Sequence, residues 1–194
     1  MKICFVLGTR PEIIKLFPLI KLCTDEKIQY FIIHTGQHYS YMMDKKFFED
    51  FNIKPKYILN REKSFITSTI DKISPIFLRE KPDYIINQGD TNTVLASALA
   101  CNKLSLNTID NKKFKLVHVE SGLRSHDKSM PEEINRIIAD QLSDILLVPT
   151  PESQKNLIKE NISKKKIYIV GNTISDSIKL NKKKINTQIL SSLK

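Results

Sequence analysis

Near its start the chain reads MKICFVLGTRPEIIK (residues 1–15), and this stretch predicts the architecture of the whole. The apolar run 3–7 is typical of a buried strand, and it changes abruptly to the polar turn Gly8-Thr9-Arg10. Pro11 suits the first turn of a helix, and apolar residues at three- and four-residue spacing follow it as far as Cys23. The stretch therefore predicts a strand, a tight turn and a helix, which together begin a βαβ unit.

The alternation of strand and helix continues along the chain. Nearly continuous apolar runs, which are typical of strands covered on both faces, occupy residues 3–7, 30–33, 84–86, 116–119, 145–148 and 167–170, with a shorter run at 57–59. Helical spacing occupies residues 11–23, 64–79, 91–103, 132–142 and 152–161. This pattern predicts an α/β fold in which one parallel sheet is flanked by helices. The polar, unpatterned segment 106–114 predicts a surface excursion.

Composition and charge exclude several classes of protein. The 194 residues include 31 Lys and Arg against 21 Asp and Glu, a formal charge of +10. No apolar run approaches the ~20 residues that span a bilayer, so we expect no membrane segment. Much of the excess charge lies in the lysine runs 164–166 and 182–184, which we interpret as solvated surface and not as a nucleic-acid site. The N-terminal apolar run lacks a secretory cleavage site, and the three widely spaced cysteines predict no disulfide framework, so we expect a cytoplasmic protein.

Candidate ligand-binding residues follow the strands, because ligands of open α/β sheets bind beyond the C-terminal ends of the strands. The segments after the later strands are rich in polar residues and glycine, and they read HTGQH (34–38), QGDTNT (88–93) and ESGLR (120–124). Gly8-Thr9-Arg10-Pro11 is neither a P-loop nor a GxGxxG fingerprint. An ATPase and a dinucleotide-dependent enzyme are therefore disfavoured.

The candidate acids and bases are Asp90, Glu120 and the pair Glu132-Glu133. Carboxylates gathered in a partly closed cleft raise one another's pKa, which provides a base and an acid near neutral pH. Asp90 has the alternative role of a helix N-cap, and the glutamate pair would favour a helix dipole without any chemistry. Their convergence on one edge of a sheet favours the functional interpretation.

Two cations, Arg10 and Lys15, flank the predicted junction between the first turn and the first helix, where both could face a phosphate or a sugar. The alternative is a cap-region arginine and a lysine that extends along the surface. His38 lies in a loop, where it is a candidate substrate contact. His118 lies within a strand, which predicts a hydrogen-bonded histidine of the core or its rim. The histidines lack HExxH or similar spacing, so we expect no metal site.

Taken together, five motifs resemble the non-hydrolysing UDP-N-acetylglucosamine 2-epimerases: VLGTRPEIIK (6–15), HTGQH (34–38), QGDTNT (88–93), HVESGLR (118–124) and MPEEINR (130–136). Their order and spacing match across essentially the whole chain. The resemblance implies a glycosyltransferase-B-like fold of two Rossmann-like domains, of which this chain holds the N-terminal one. It also implies interconversion of UDP-N-acetylglucosamine and UDP-N-acetylmannosamine for surface polysaccharides, with no metal or redox cofactor.

The resemblance assigns roles to the candidate residues. UDP is eliminated across C1 and C2 of the sugar, and the resulting glycal takes UDP back with the opposite configuration at C2. Arg10 and Lys15 would contact the nucleotide sugar. Asp90, Glu120 and Glu132 would supply proton transfer and substrate positioning, and which of them takes the C2 proton stays open.

The family is nearly twice as long as this chain. Gly171-Asn172-Thr173 resembles the family's domain junction, so we expect a Rossmann-like domain over residues 1–170 and an interdomain linker or helix over 171–194. The second domain, which holds much of the UDP site, would come from a separate C-terminal chain, and we also expect a homo-oligomer. Two alternatives stay open: a 2-epimerase of a UDP-2,3-diacetamido sugar, and a truncated, non-catalytic remnant.

Overall fold

The computed structural model describes residues 1–37, 41–107 and 114–182. Seven strands lie in this part of the chain: β1 (Lys2–Leu7), β2 (Gln29–His34), β3 (Tyr57–Ile58), β4 (Tyr84–Gln88), β5 (Lys115–Val119), β6 (Ile145–Val148) and β7 (Ile167–Ile169). They form one sheet in the order β3-β2-β1-β4-β5-β6-β7, and every pairing is parallel. The predicted α/β fold with one parallel sheet is confirmed, including the short third strand.

Helices connect the strands: α1 (Arg10–Asp25), α2 (Tyr41–Asp50), α3 (Phe65–Glu80), α4 (Asn92–Asn107), α5 (Pro131–Leu142), α6 (Pro151–Lys159) and α7 (Thr173–Asn181). Buried side chains of α3, α4 and α5 form a core against one face of the sheet. Buried side chains of α1 and α2 form a second core against the other face. The sheet is therefore covered on both faces, as its apolar strands require.

The side chains of β1 contribute to both cores. Cys4 and Val6 belong to the core beneath α3, α4 and α5. Ile3, Phe5 and Leu7 belong to the core beneath α1 and α2. Successive side chains of a strand point to opposite faces, so a run without polar interruptions fits a strand that is buried on both.

The helix α2 is absent from the helices that the spacing predicts, so that part of the prediction is wrong. Its sequence mixes aromatic and charged residues, so the spacing of residues does not reveal the apolar face of the helix. The contacts that hold it come from elsewhere in the chain: Phe48 is buried in the core with α1, and Phe51, just beyond the helix, stacks on Phe17 at a ring separation of 4.3 Å. Such contacts are not visible in a local pattern.

The segment after Gly171 forms the helix α7. The side chain of Asn172 accepts a hydrogen bond from the amide of Ile174 at 3.0 Å, which caps the helix. Halfway along, the Ser177 hydroxyl donates to the carbonyl of Ile14, so α7 lies against α1. The chain beyond the last strand thus turns back onto the first helix.

Several surface predictions fall partly outside the described ranges. Helix α4 continues to Asn107, and residues 108–113 of the predicted excursion lie outside the described residues. The lysine run 164–166 forms an exposed 3-10 turn, as predicted for solvated surface, whereas residues 183–184 are outside the description. In the described ranges, none of the helices combines the length and the apolar character needed to cross a membrane.

An ion cluster lies at the N-terminal edge of the sheet, where the strands begin. The Glu80 carboxylate at the end of α3 accepts hydrogen bonds from Lys2 Nζ at 2.5 Å, from Lys56 Nζ at 2.6 Å and from the Tyr57 hydroxyl. Its side chain is 9% exposed. These donors hold the pKa of Glu80 down at about 2.

Glu80→Gln is expected to lower the free energy of unfolding near pH 7 by about 1 kcal/mol, because it removes a partly solvated charged acceptor from three donors. The pKa of Glu80 is lower in the folded protein than in the unfolded chain. The contribution is therefore complete above the ordinary glutamate pKa and disappears as the pH falls toward 2. Urea unfolding of both proteins at several pH values measures it.

Glu49→Gln is the matched control, since Glu49 is 64% exposed and its oxygen lies 3.7 Å from Lys45 Nζ. This variant should change stability little at any pH. Equal losses in the two variants would show that the Glu80 cluster contributes no more than a surface pair.

Candidate functional site

Three loops meet at the C-terminal edge of the sheet around a cavity of about 250 Å³. They follow β1, β4 and β5, which are neighbours in the sheet. The wall is formed by Thr9, Pro11, Glu12, Lys15, Gln88, Gly89, Asp90, Thr91 and Glu120. The structure thus brings together three residues that the sequence singles out, Lys15, Asp90 and Glu120.

Gly8 allows the end of β1 to lie close to the loop after β2 and to the first turn of α4. A Cβ at this position would lie 2.1 Å from Thr35 Oγ1 and 2.4 Å from Thr93 Oγ1. The same two hydroxyls hydrogen-bond to each other at 2.7 Å, and Gln37 Oε1 accepts from the Thr93 amide at 2.9 Å. No side chain fits between them, so glycine is required where β1 ends.

Glu12 joins the first of these loops to the second. Its carboxylate accepts hydrogen bonds from the amide of Gly8 at 2.8 Å and from the Thr91 hydroxyl at 2.7 Å. The residue is only 1% exposed. Burial raises the pKa of Glu12 to about 7, although the hydrogen bonds from Thr91 and Gly8 lower it. Sequence reasoning did not choose Glu12 as a site residue; its position on the first helical turn after the β1 loop was the available signal.

Glu120 and Lys15 form an ion pair across the cavity wall, with Lys15 Nζ 2.7 Å from Glu120 Oε1. The second carboxylate oxygen of Glu120 is buried and has no hydrogen-bond partner among the described residues. Glu120 also has a φ of +67°, in the left-handed region that few non-glycine residues adopt. Its amide and that of Ser121 both donate to the Leu147 carbonyl, at 3.0 and 3.2 Å, which holds this backbone conformation in place.

Asp90 is paired with a cation and is not the cap of α4. The Arg136 guanidinium donates to the Asp90 carboxylate. Thr91 is the residue that caps the helix, since its hydroxyl accepts from the Val94 amide at 3.3 Å. Asn135 Nδ2 donates to the Asp90 carbonyl at 2.9 Å. Because the cap role belongs to Thr91, the Asp90 carboxylate remains at the cavity wall, with a side chain that is 33% exposed.

The two adjacent glutamates of α5 have different environments. Glu132 is exposed on the first turn of the helix. Glu133 is 1% exposed and accepts hydrogen bonds from the amides of Ser125 and His126, both at 3.0 Å. Burial raises the pKa of Glu133, but the hydrogen bonds from those amides and the charge of Arg136 lower it by a larger amount. The pKa of Glu133 therefore lies below its usual range. Glu133 therefore supports the loop after β5, while Glu132 is open to solvent.

Arg10 lies beside a buried carboxylate. Its Nε is 4.0 Å from Asp44 Oδ1, and its side chain is 42% exposed. On the other side, Asp44 Oδ2 is 3.3 Å from His34 Nε2. Burial lowers the pKa of His34, against the opposing effect of Asp44. Arg10 is thus anchored at one nitrogen while much of its side chain remains open to a ligand; His38, predicted as a substrate contact, lies outside the described residues.

The described part of the chain contains no group of three or more His, Cys, Asp or Glu side chains placed to hold a metal ion. The cavity wall instead combines carboxylates with cations: Asp90 with Arg136, and Glu120 with Lys15. This arrangement can bind an anion through the cations and transfer protons through the carboxylates.

Comparison with known sequences agrees with the family resemblance of the five motifs. The sequence model of a family described as UDP-N-acetylglucosamine 2-epimerase matches residues 20–194. The UDP-N-acetylglucosamine 2-epimerase of Methanocaldococcus jannaschii is 48% identical over 182 residues, which span 91% of this chain and 48% of that protein. The UDP-2,3-diacetamido-2,3-dideoxy-D-glucuronate 2-epimerase of Pseudomonas aeruginosa is 39% identical, over 91% of this chain and 50% of that protein. The chain spans about half the length of the curated relatives it matches.

Solved structures agree with the sequence comparison. A crystal structure of the Methanocaldococcus jannaschii UDP-GlcNAc 2-epimerase with UDP-GlcNAc and UDP superimposes with a TM-score of 0.89 at 45% identity, covering 98% of this chain and 52% of that one. A lipopolysaccharide outer core galactosyltransferase, 18% identical, has a TM-score of 0.61 over 89% of this chain and 46% of its own, and so shares the fold alone. The fold is the Rossmann-like N-terminal domain of a glycosyltransferase-B-like protein, as predicted.

Glu12→Gln is expected to remove a pH dependence of stability. The pKa of Glu12 is higher in the folded protein than in the unfolded chain, so the native protein loses stability as the pH rises from about 4.5 to about 7, by up to about 3 kcal/mol. The glutamine can still accept from Gly8 and donate to Thr91, and it carries no charge at any pH. Urea unfolding of both proteins at intervals between these pH values provides the comparison.

The quantity to examine is the difference between native protein and variant, since other titratable groups contribute to the pH dependence of both proteins. The free energy of unfolding of the variant should increase relative to that of the native protein as the pH rises. Parallel stability curves would mean that Glu12 is not a buried, ionising group.

Proposed function

The chain belongs to the UDP-N-acetylglucosamine 2-epimerase family, and from this premise we propose that it is the N-terminal half of an enzyme that interconverts UDP-N-acetylglucosamine and UDP-N-acetylmannosamine. One observation carries the proposal: Asp90 and Glu120, each beside a cation, lie on the wall of one cavity at the C-terminal edge of the sheet. Such a site suits proton transfer next to an anionic leaving group.

The reaction is an elimination followed by an addition. A carboxylate removes the proton at C2 of the sugar, the electron pair of that bond forms the C1–C2 double bond, and UDP departs from C1. In the second half, a UDP oxygen forms a bond to C1 again, and a proton is delivered to C2 on the opposite face. Two carboxyl groups in different environments suit this exchange, because one must accept the proton and another must donate it.

The cations bind the diphosphate. Lys15 and Arg10 lie at the first turns of α1, where the helix dipole also favours an anion. Lys15 Nζ lies 2.7 Å from Glu120 Oε1. The lysine can turn from this carboxylate toward the diphosphate as negative charge develops on the departing UDP. His38 completes the proposed set of nucleotide-sugar contacts.

Asp90, Glu120 and Glu132 supply the proton transfers and the positioning of the sugar. Glu120 is supported by its strained backbone and by the unpartnered carboxylate oxygen described above, since strain of this kind is concentrated at functional positions. Asp90 is supported by its place on the cavity wall and by its ion pair with Arg136. Glu132 is supported by its place beside Glu133 and Arg136, whose contacts reach the Asp90 turn.

The other half of the enzyme binds the nucleotide. Residues 1–170 are the N-terminal domain, and 171–194 lead toward a second domain that holds uridine and most of the diphosphate. Support comes from apolar side chains exposed in the last described elements: Tyr168, Ile169 and Val170 are about half exposed, and Ile178 of α7 is 61% exposed. A protein surface of this kind is suited to contact with another domain.

A second substrate is favoured by a specific observation, the 39% identity to a 2-epimerase of a UDP-2,3-diacetamido sugar acid. The chemistry at C2 is the same for both substrates, and only the groups at C3 and C6 differ. Assaying both nucleotide sugars under the same conditions distinguishes the two.

The remaining parts of the proposal concern the cellular setting. The protein works in the cytoplasm, which is consistent with three buried free thiols. It forms a homo-oligomer, which sedimentation at several concentrations would test.

The chain alone is expected to show little or no epimerisation of UDP-N-acetylglucosamine, and addition of the C-terminal half of a relative should restore it. The reason is that uridine contacts and closure of the cleft come from the second domain. A coupled assay for UDP-N-acetylmannosamine measures the product, with the C-terminal half alone as the control. Turnover by the purified 194-residue chain at the rate of the reconstituted enzyme would refute the half-enzyme proposal.

In the reconstituted enzyme, Asp90→Asn, Glu120→Gln and Glu132→Gln are each expected to lower kcat by roughly 10²-fold or more, the scale of a general acid or base. Each removes a charge with little change in shape. Glu152→Gln is the matched control, since Glu152 also lies in the first turn of a helix and its side chain is 65% exposed. If all three variants kept the kcat of this control, the assignment of these carboxylates would be wrong.

A further inference from the structure

His118 is a titratable group enclosed by the protein close to the candidate site. It lies in β5, two residues before Glu120, and its side chain is fully buried. Its Nδ1 is 2.7 Å from Asp140 Oδ1, and its Nε2 is 2.7 Å from the carbonyl oxygen of Gly89. The ring therefore connects α5 to the loop after β4. It is hydrogen-bonded, as the sequence predicts.

Both partners of the ring are acceptors. A carbonyl oxygen has no proton to give, and an ionised carboxylate has none either. A neutral imidazole carries one N–H, so one of its nitrogens would place a lone pair 2.7 Å from an oxygen lone pair. Both short contacts are hydrogen bonds only if the ring carries a proton on each nitrogen.

The environment of Asp140 favours its ionised form. Its second oxygen accepts hydrogen bonds from the Gly122 amide at 3.1 Å and forms an ion pair with Arg124 Nη2 at 2.8 Å. Burial raises the pKa of Asp140, but interactions with His118 and Arg124 lower it by a larger amount. The pKa of Asp140 therefore lies below its usual range. The Gly122 amide and the Arg124 guanidinium thus already favour an ionised Asp140 without any contribution from His118, and an ionised carboxylate can only accept from the ring.

The charges of this cluster balance. Arg124 also makes two hydrogen bonds to Glu160, at 2.7 and 2.6 Å. With a charged His118, two cations face the two carboxylates of Asp140 and Glu160. With a neutral His118, Arg124 alone would face both carboxylates, of which Asp140 is fully buried and Glu160 is 29% exposed.

The contact with Gly89 brings this cluster to the candidate site. Gly89 has a φ of +84°, and, apart from its chain neighbours, no heavy atom of the described residues lies within 4 Å of the position that a Cβ would occupy, so side-chain packing does not hold this residue in place. Its carbonyl is held by His118, and its amide donates to the Val119 carbonyl at 3.1 Å. The next residue is Asp90, whose carboxylate and carbonyl are held by Arg136 and Asn135. Elements β5 and α5 thus hold the Asp90 turn at successive peptide groups.

We infer that His118 is a doubly protonated imidazolium that acts as a positioning residue for Asp90 by holding the Gly89 carbonyl; the positioning role rests on the function proposed above, whereas the charge state does not. Among the described residues, the ring contacts the Asp140 carboxylate of α5, Asp140 pairs with Arg124 from the loop after β5, and Arg124 pairs in turn with Glu160 after α6.

Nitrogen NMR of the chain labelled with ¹⁵N-histidine tests the charge state without any assay of activity. Near pH 7, both ring nitrogens of His118 should carry a slowly exchanging proton, and these signals should be missing from the His118→Asn spectrum, which identifies them among the four histidines. A ring with one unprotonated nitrogen would overturn the inference. The measurement itself uses the native chain, and the His118→Gln spectrum identifies the same signals if His118→Asn folds poorly.

Two isosteric variants test the positioning role in the reconstituted enzyme. The amide nitrogen of asparagine replaces Nδ1, so His118→Asn keeps the Asp140 contact and leaves the Gly89 carbonyl unpaired. The amide nitrogen of glutamine replaces Nε2, so His118→Gln keeps the Gly89 contact instead. We expect His118→Asn to lower kcat by about ten- to hundredfold with little change in KM, and His118→Gln to retain most of kcat.

The amide signals of residues 89–91 provide a second readout on the chain alone, and they should move in the asparagine variant more than in the glutamine variant. Equal losses of kcat and equal spectral changes in the two variants would show a structural role only and overturn the positioning inference. If the native reconstituted enzyme proves inactive on both nucleotide sugars, the proposed function fails, while the NMR results still decide how His118 and Gly89 interact.

Discussion

Parallel pairing of β4 with β1 on one side and with β5 on the other is the constraint on which the candidate site depends. Parallel strands bring all their C-terminal ends to one edge of the sheet, so Gly8, Asp90 and Glu120 meet although they are far apart in the chain. Beside the cavity, Gly8 lets β1 end close to Thr35 and Thr93, because it has no side chain between them. The cavity itself is a product of parallel strand pairing.

The carboxylates around this edge divide into two groups by burial and by the number of their oxygens that accept hydrogen bonds. Glu12, Glu133 and Asp140 are almost fully buried, and each accepts hydrogen bonds on both oxygens. Such groups hold loops together, because removing one donor would leave a buried polar oxygen unsatisfied. Asp90 and Glu120 each have one cationic side-chain partner and a place on the cavity wall. This position leaves these two able to interact with a ligand.

Local sequence patterns were sufficient for much of the fold and for part of the site. The apolar runs predicted every strand, and the polar residues after β1, β4 and β5 predicted where Lys15, Asp90 and Glu120 would meet. The patterns did not predict α2, which depends on aromatic contacts with α1. They also could not separate Glu132 from Glu133, since two adjacent acidic residues in a first helical turn look alike until burial distinguishes them.

The sequence by itself determined the alternation of strands and helices and the set of polar residues at the strand ends, because periodicity and turn chemistry act between near neighbours along the chain. Only the tertiary structure decided the state of those residues. That Thr91 and not Asp90 caps α4, that Glu12 is buried with its pKa raised, and that His118 faces two acceptors all depend on partners from distant segments. Charge and hydrogen bonding in a protein interior are set by the groups that folding brings within a few ångströms, and the spacing of residues along a chain does not contain that information.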